Sequence, residues 1–410
     1  MSSSMRTMRT TSSTGAGWPY SAGKRRTRIA FAFSQGCSNR SKRSRMRETR
    51  RKSVVSVIDR LALDALLIRG MQNIFYLTGF KGSEGSLLVT RGDCVLMTDS
   101  RYILHALEVA QGVTVLETRE NDGALSKLTD RYGIRRLGFD SLHTTYRMYQ
   151  RYVEMAPGLE MVPVQEDLEE IRRCKDPSEI MTMRKGLEIH TEAFNRVFEK
   201  MAPGRTEREI ANELDYAMRS LGAEGPAFET IVASGPRAAL PHARPTDRAF
   251  REGDVVIIDF GCLYDGYNTD ETVTLCVGDT SQELHDVHAV VNEARKKGID
   301  AARAGVSLQH VDAVVRGHIE ECGYGDYFRH GTGHGVGVDV HESPSIGPRA
   351  DGALEENMVV TIEPGVYLPH VGGVRLEDMI VIREGRAEVL TSLRKDLLKI
   401  GGNNHASFNG

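Results

Sequence analysis

VVIIDFGCLYDGYNTD, residues 255–270, is the stretch on which the reading of this chain turns. Four consecutive aliphatic residues lead into Asp259, as in a buried strand bounded by turn residues. Asp270 closes the stretch, and Gly266 suits a hairpin turn between them. A turn centred between Tyr264 and Asp265 would make Asp259 and Asp270 direct cross-strand partners. Opposed side chains in an antiparallel pair have Cβ atoms roughly 4.5–5.5 Å apart, and like charges there are destabilising. Two carboxylates facing each other at the mouth of a buried strand need protonation or a cation.

The pattern recurs downstream. MVVTIEPGVY and VRLEDMIVI read as a second strand pair, with Gly372 and Gly373 in the connection. Glu363 and Glu377 are symmetric about His370, so they too should oppose each other. DVVIIDFG (254–261) aligns with NMVVTIEPG (357–365), placing Asp259 over Glu363 and Gly261 over Gly365. Helical signals precede both pairs. Asp176, Pro177 and Glu179 form a capping signature before Ile180, Met183, Leu187, Phe194 and Val197. Thr206 and Glu209 repeat it before Ile210, Leu214 and Leu221. A helix is expected over about 281–303. Another should begin at Ser307, carry Val311, Val314, Val315 and Ile319, and stop near Gly323. The unit is two helices and a hairpin, twice.

Between the hairpins lies HGTGHGVGVDVHESP, 330–344. Glycines at 331, 333, 335 and 337 argue against a helix, although His330 and His334 are four apart. Such a loop brings backbone and imidazole close to a ligand. Desolvating an unpaired carboxylate costs several kcal/mol. Four carboxylates and an imidazole form a hard, oxygen-rich set suited to two divalent ions of the Mn²⁺ type, with Co²⁺, Fe²⁺ or Zn²⁺ as alternatives. Two ions sharing a water would both neutralise the acids and activate that water.

Composition excludes several classes. The chain has 410 residues, 40% hydrophobic and 27% charged, ordinary for a globular protein of two or three domains. No apolar run approaches the roughly 20 residues of a membrane helix. The six cysteines are scattered without a CxxC pair, which suits a reducing cytoplasmic setting. Residues 1–52 hold 14 Lys/Arg against one acid, Glu48, so the rest of a chain with formal charge −3 is acidic. That Ser/Arg-rich tail is expected to be disordered. It is a targeting segment, a basic arm for nucleic acid or anionic surfaces, or sequence upstream of a true start such as Met46. Residues 54–165 read as a compact α/β domain, with strands in SLLVTRGDCVLMTD and at 137–140. The second domain is expected over 175–400.

These words resemble the peptidase family M24 that holds methionine aminopeptidase, aminopeptidase P and prolidase. IIDFG, GTGHGVGVDVHE, TIEPGVY and VRLED carry the likeness, and IFYLTGFKGSEG and LMTDSRY resemble the creatinase/prolidase N-terminal domain. The resemblance covers about 54–395 and implies an α/β (α+β) architecture. A pita-bread catalytic domain with pseudo-twofold helix–helix–hairpin repeats follows a smaller α/β domain. The N-terminal domain points to the Xaa-Pro branch rather than methionine aminopeptidase. The family's ordered ligand set falls on Asp259, Asp270, His334, Glu363 and Glu377. By position, Asp259 would bind one metal, His334 and Glu363 the other, and Asp270 and Glu377 would bridge. His242, in VASGPRAALPHARP, resembles the histidine near the scissile carbonyl. His341 resembles the one contacting the proline side, and Arg375 would order the site electrostatically. Glu363 would also carry a proton. Phe228 suits either a proline pocket or the core. One departure is DETVT, where many relatives have Arg at the place of Val273.

The implied reaction is hydrolysis of an Xaa-Pro bond, at a peptide N-terminus or in a dipeptide, by a hydroxide shared between two metal ions. The implied partners are a proline-containing peptide and a second copy in a homodimer. No membrane partner is expected, and nucleic acid only through the tail. Two other classes stay open: a non-catalytic pita-bread binding protein, and a creatinase-like amidinohydrolase. Neither needs all five ligands.

Overall fold

The computed structural model describes residues 37–118 and 121–401, with side chains from Met46 onward except at 121–122. The first 36 residues, most of the basic tail, lie outside the described residues. The tail assignment does not extend through 37–52, because a helix spans Cys37–Arg60. Tertiary partners supply the reason. Arg50 donates to Asp176 at 2.8 Å, lies 3.2 Å from Glu179 and stacks over Tyr76. Arg51 donates to the Leu77 carbonyl at 3.0 Å. Those acceptors lie far along the chain, out of reach of a composition argument.

The N-terminal half is built on a six-stranded mixed sheet. Its middle strand, Ala65–Ile68, is buried at all four positions. It pairs antiparallel with Ser86–Thr90 and parallel with Arg136–Asp140. Ser86–Thr90 and Cys94–Thr98 form the hairpin read around RGD. Met71–Thr78 is a helix, and Gly79, at φ +80°, ends it. Glu166–Arg173 then leads into the second half.

The second half shows the helix–helix–hairpin order twice. Its helices are Pro177–Phe198, Glu207–Ser220, Gln282–Ala301 and Leu308–Glu321. Capping fixes their starts. Asp176 and Thr206 each form a full capping box, and Ser281 and Ser307 accept from backbone N–H groups of the first turn. Strands Val255–Phe260 and Glu271–Val277 form the first hairpin, with Ile231–Ser234 beside it. In the second, Val359–Ile362 pairs with Asp378–Val381 and Gly365–Leu368 with Gly372–Arg375. Gly333–Gly335 docks against Val359–Ile362.

The first hairpin's register departs from expectation. Asp259 pairs with Thr272, not Asp270. The turn is centred on Asp265 and Gly266, whose φ values of 47° and 81° are those of a two-residue hairpin turn. The slip is two residues, so parity survives and Asp270 stays on Asp259's face, diagonal to it. The second register matches: Ile362 opposes Asp378 and Gly365 opposes Arg375, which brackets Glu363 against Glu377. Among the described residues no helix is long and apolar enough to cross a membrane.

Candidate metal centre

Strand alternation aims the acids. Asp270, Thr272 and Thr274 share one face of the first hairpin, and the latter two meet the second hairpin directly. Thr272 Oγ1 donates to Glu377 Oε2 at 2.8 Å, and Thr274 Oγ1 donates to the Arg375 carbonyl at 2.8 Å. The Glu377 N–H donates to the Thr272 carbonyl at 3.1 Å. The two hairpins are thus stitched where their acids lie. The loop between them arrives through Gly333, where a Cβ would stand 2.0 Å from the Thr361 carbonyl oxygen. Only glycine lets that backbone approach so closely.

His334 enters on this loop. Its Nδ1 lies 3.1 Å from the Gly335 carbonyl, so Nδ1 carries the proton and Nε2 presents a lone pair. That Nε2 is 3.6 Å from Asp270 Oδ2 and 3.5 Å from Glu363 Oε1. Ligand atoms of Asp270, His334 and Glu377 all lie within 4.8 Å of one another. Asp259 Oδ1 and Asp270 Oδ1 are buried without a hydrogen-bond donor. Buried carboxylate oxygens left unpaired are costly. Together with the imidazole lone pair, they show that this donor set fits divalent cations.

Electrostatics say the same. Burial, then Glu377, Asp259 and Glu363, pushes the Asp270 carboxyl well above the usual range. Burial, then Glu363 and Asp259, does so for Glu377. Glu363 is pushed up to about 8 by burial and Asp259, with Arg375 partly offsetting. Burial and neighbouring His341 push His334 down to about 4. Without cations, burial and mutual repulsion favour the protonated form of these acids and the neutral form of the imidazole.

Arg375 opposes the cluster from one side. Its Nη2 donates to Asp259 Oδ2 at 2.5 Å, and its Nη1 to Tyr367 Oη at 2.8 Å and the Pro241 carbonyl at 3.1 Å. Tyr367 also meets His330 Nε2 at 3.0 Å. His341 lies against His334, with ring centroids 4.2 Å apart and ring planes tilted by 54°. Thus Asp259, Asp270, His334, Glu363, Glu377, Arg375, His242 and His341 all line one cavity of about 1010 Å³. Phe228 lines it too, with Ile231. Val273 does not. It is buried in the core opposite Ile258, on the strand face away from the cavity. An apolar residue suits that position, and its departure from Arg removes nothing from the cavity wall.

Other members were missed from the sequence. Tyr367 stands at the same parity as Glu363 and Gly365, a signal that strand alternation could have supplied. Thr272 likewise lies two after Asp270. The N-terminal half forms part of the wall through Asn73, Asp140, Leu142 and His143, and the connecting helix adds Leu168, Glu169 and Arg172. No local pattern points to those. Arg172 Nη1 pairs with Asp339 at 2.8 Å, and Lys175 Nζ with Glu342 at 2.7 Å. The connecting segment thereby grips the loop that carries His341.

Comparison with known proteins agrees with this architecture. Residues 181–384 match metallopeptidase family M24, and 50–174 match the creatinase/prolidase N-terminal domain. An uncharacterized peptidase of Bacillus subtilis, YqhT, is 40% identical over 84% of this chain and 98% of its own length. A solved Xaa-Pro dipeptidase from Bacillus anthracis superposes with a TM-score of 0.84 at 35% identity, covering 86% of this chain and 99% of that one. A solved X-Pro aminopeptidase from Thermotoga maritima gives 0.81 at 35% identity, covering 85% and 99%. With both domains matched in order and the acid–histidine bed in place, the chain belongs to metallopeptidase family M24, whose members work with divalent metal ions.

Proposed function

We propose that this protein hydrolyses the bond between an N-terminal residue and proline, in dipeptides and in longer peptides, with two divalent ions, Mn²⁺ foremost. One observation carries the reading: Asp259, Asp270, His334, Glu363 and Glu377 converge on one cavity, where Asp259 and Asp270 each keep an unpaired buried carboxylate oxygen and His334 Nε2 lies 3.6 Å from Asp270 and 3.5 Å from Glu363. The five would hold the ions, and ligand atoms of Asp270, His334 and Glu377 already lie within 4.8 Å of one another. Bound there, divalent ions supply Lewis acidity and lower the pKa of water from 15.7 toward roughly 7.

The chain's own residues do the rest. An Xaa-Pro bond has no N–H, so a site that grips the carbonyl side is needed. His242 and His341 line the cavity, which supports a role for both in donating hydrogen bonds to a carbonyl oxygen as charge builds there. Burial lowers the His341 pKa, so it donates as a neutral imidazole. Glu363 takes the proton of the attacking water and returns it to the proline nitrogen. Arg375 holds the Asp259 carboxylate in a fixed orientation. Phe228 and Ile231 offer apolar surface for the proline ring. A cavity of about 1010 Å³ leaves room beyond a dipeptide, which supports a broad Xaa-Pro peptidase. A cytoplasmic homodimer is the assembly we infer.

The test is direct. Purified protein with Mn²⁺ is assayed on Ala-Pro and on a longer Xaa-Pro-Yaa peptide, side by side. Cleavage of either is expected, with loss on chelation and in Glu377→Ala. Turnover that survives both would refute the metal-dependent reaction.

A further inference from the structure

Each hairpin carries an acid doublet, Asp270-Glu271 and Glu377-Asp378. Alternation along a strand sends the second acid of each doublet away from the cavity. There both are buried, Glu271 at 0% exposure and Asp378 at 3%. Glu271 receives a hydrogen bond from His190 Nε2 at 2.6 Å and from the Leu393 N–H at 3.2 Å. Asp378 receives one from Thr391 Oγ1 at 2.6 Å and pairs with Arg295. Lys395 touches both. Its ammonium pairs with Glu271 and lies 3.4 Å from Asp378 Oδ1. One buried cation, delivered just before the last strand Leu398–Ile400, therefore joins the first hairpin to the second directly behind the acids that face the cavity.

A buried ionic cluster is a poor way to gain stability, because apolar side chains of similar volume do as well or better. It can instead fix geometry: opposite charges set the separation of the two elements that bear them. The peptidase chemistry above uses none of Glu271, Asp378 and Lys395. We propose that Lys395 is a positioning residue for the metal bed, holding the two hairpins at the separation that lets Asp270 and Glu377 share ions. This rests on the metal reading above. Its sign is informative. An ammonium near the bed repels divalent cations, so a purely electrostatic Lys395 would weaken metal binding, whereas a spacer strengthens it.

The experiment is Mn²⁺ titration of the metal-free full chain by calorimetry, comparing wild type, Lys395→Met and Lys395→Arg. Loss of a partner that orients metal ligands costs roughly 10–100-fold in affinity. At least a tenfold weakening in Lys395→Met, partly restored in Lys395→Arg, is expected. Equal or tighter binding in Lys395→Met overturns the proposal. Should Lys395→Met fail to fold by circular dichroism, Lys395→Met/Glu271→Gln, which leaves no unpaired charge at Glu271, is read by the same two outcomes. A wild-type protein that binds no Mn²⁺ would overturn the metal reading itself, and is thereby distinguished from a failure of Lys395 alone.

Discussion

Lys175→Met is the perturbation whose cost the structure defines best. Lys175 is 1% exposed at its side chain and faces Glu342, which is 3% exposed, at 2.7 Å. Its ammonium also donates to the Arg173 carbonyl at 3.0 Å. Removing one partner of a buried pair costs about 3–5 kcal/mol, because the other charge stays behind. Arg172 remains 3.7 Å from Glu342 and softens the loss, so the lower end, about 3 kcal/mol, applies. For 410 residues, at about 2.1 cal/mol/K of unfolding entropy per residue, that corresponds to a drop of roughly 3–4 °C in melting midpoint. Scanning calorimetry of wild type and variant reads it. Lys175→Met/Glu342→Leu should recover most of the stability, since it leaves no unpaired charge. Turnover of Ala-Pro should stay low in both, because Glu342 adjoins His341. A midpoint within about 1 °C of wild type, with unchanged turnover, would refute the claim that the connecting segment clamps the His341 loop.

Mn²⁺ binding should release protons. Glu363 is pushed up to about 8, so at pH 7 it carries a proton that cations displace, and burial raises Asp270 and Glu377 in the same direction. Titrations in buffers of different ionisation enthalpy should show at least about one proton released, and affinity falling about tenfold from pH 7 to pH 6. The metal-free protein should lose stability as pH rises from 6.5 through 8. Over that window Glu363 is protonated in the folded state and already ionised in the unfolded one, so the folded state binds more protons. Urea titrations at both ends check the sign. Gly261→Ala places a Cβ 1.8 Å from the Thr269 carbonyl oxygen, in a hairpin that cannot open to receive it. Poor soluble yield and loss of Mn²⁺ binding are expected. Arg375→Met strips Asp259 of its 2.5 Å partner and should lower turnover by ~10–100-fold, read from kcat with Mn²⁺ saturating.

Much of the site was legible because its code is local. Capping residues at 176, 206, 281 and 307 mark helix starts through hydrogen bonds to their own first turns. Strand parity told which acids share a face, and it survived a two-residue slip of register at Asp259. The turn itself was misplaced because Asp265, a non-glycine residue, takes a positive φ beside Gly266. What stayed hidden depends on distant partners. Arg50 is one of many arginines in a basic run until Asp176 and Glu179 meet it. Lys395 looks like a surface lysine near the C-terminus until Glu271 and Asp378 enclose it. His143, held by Asp140, reaches the cavity only because the N-terminal sheet packs there.

The central claim is that cations account for acids gathered between two hairpins. Crystals grown with Mn²⁺ and measured at the manganese absorption edge test it most directly. Two anomalous peaks amid Asp259, Asp270, His334, Glu363 and Glu377 are predicted. A well-ordered map with those carboxylates in place and no anomalous signal among them would contradict it.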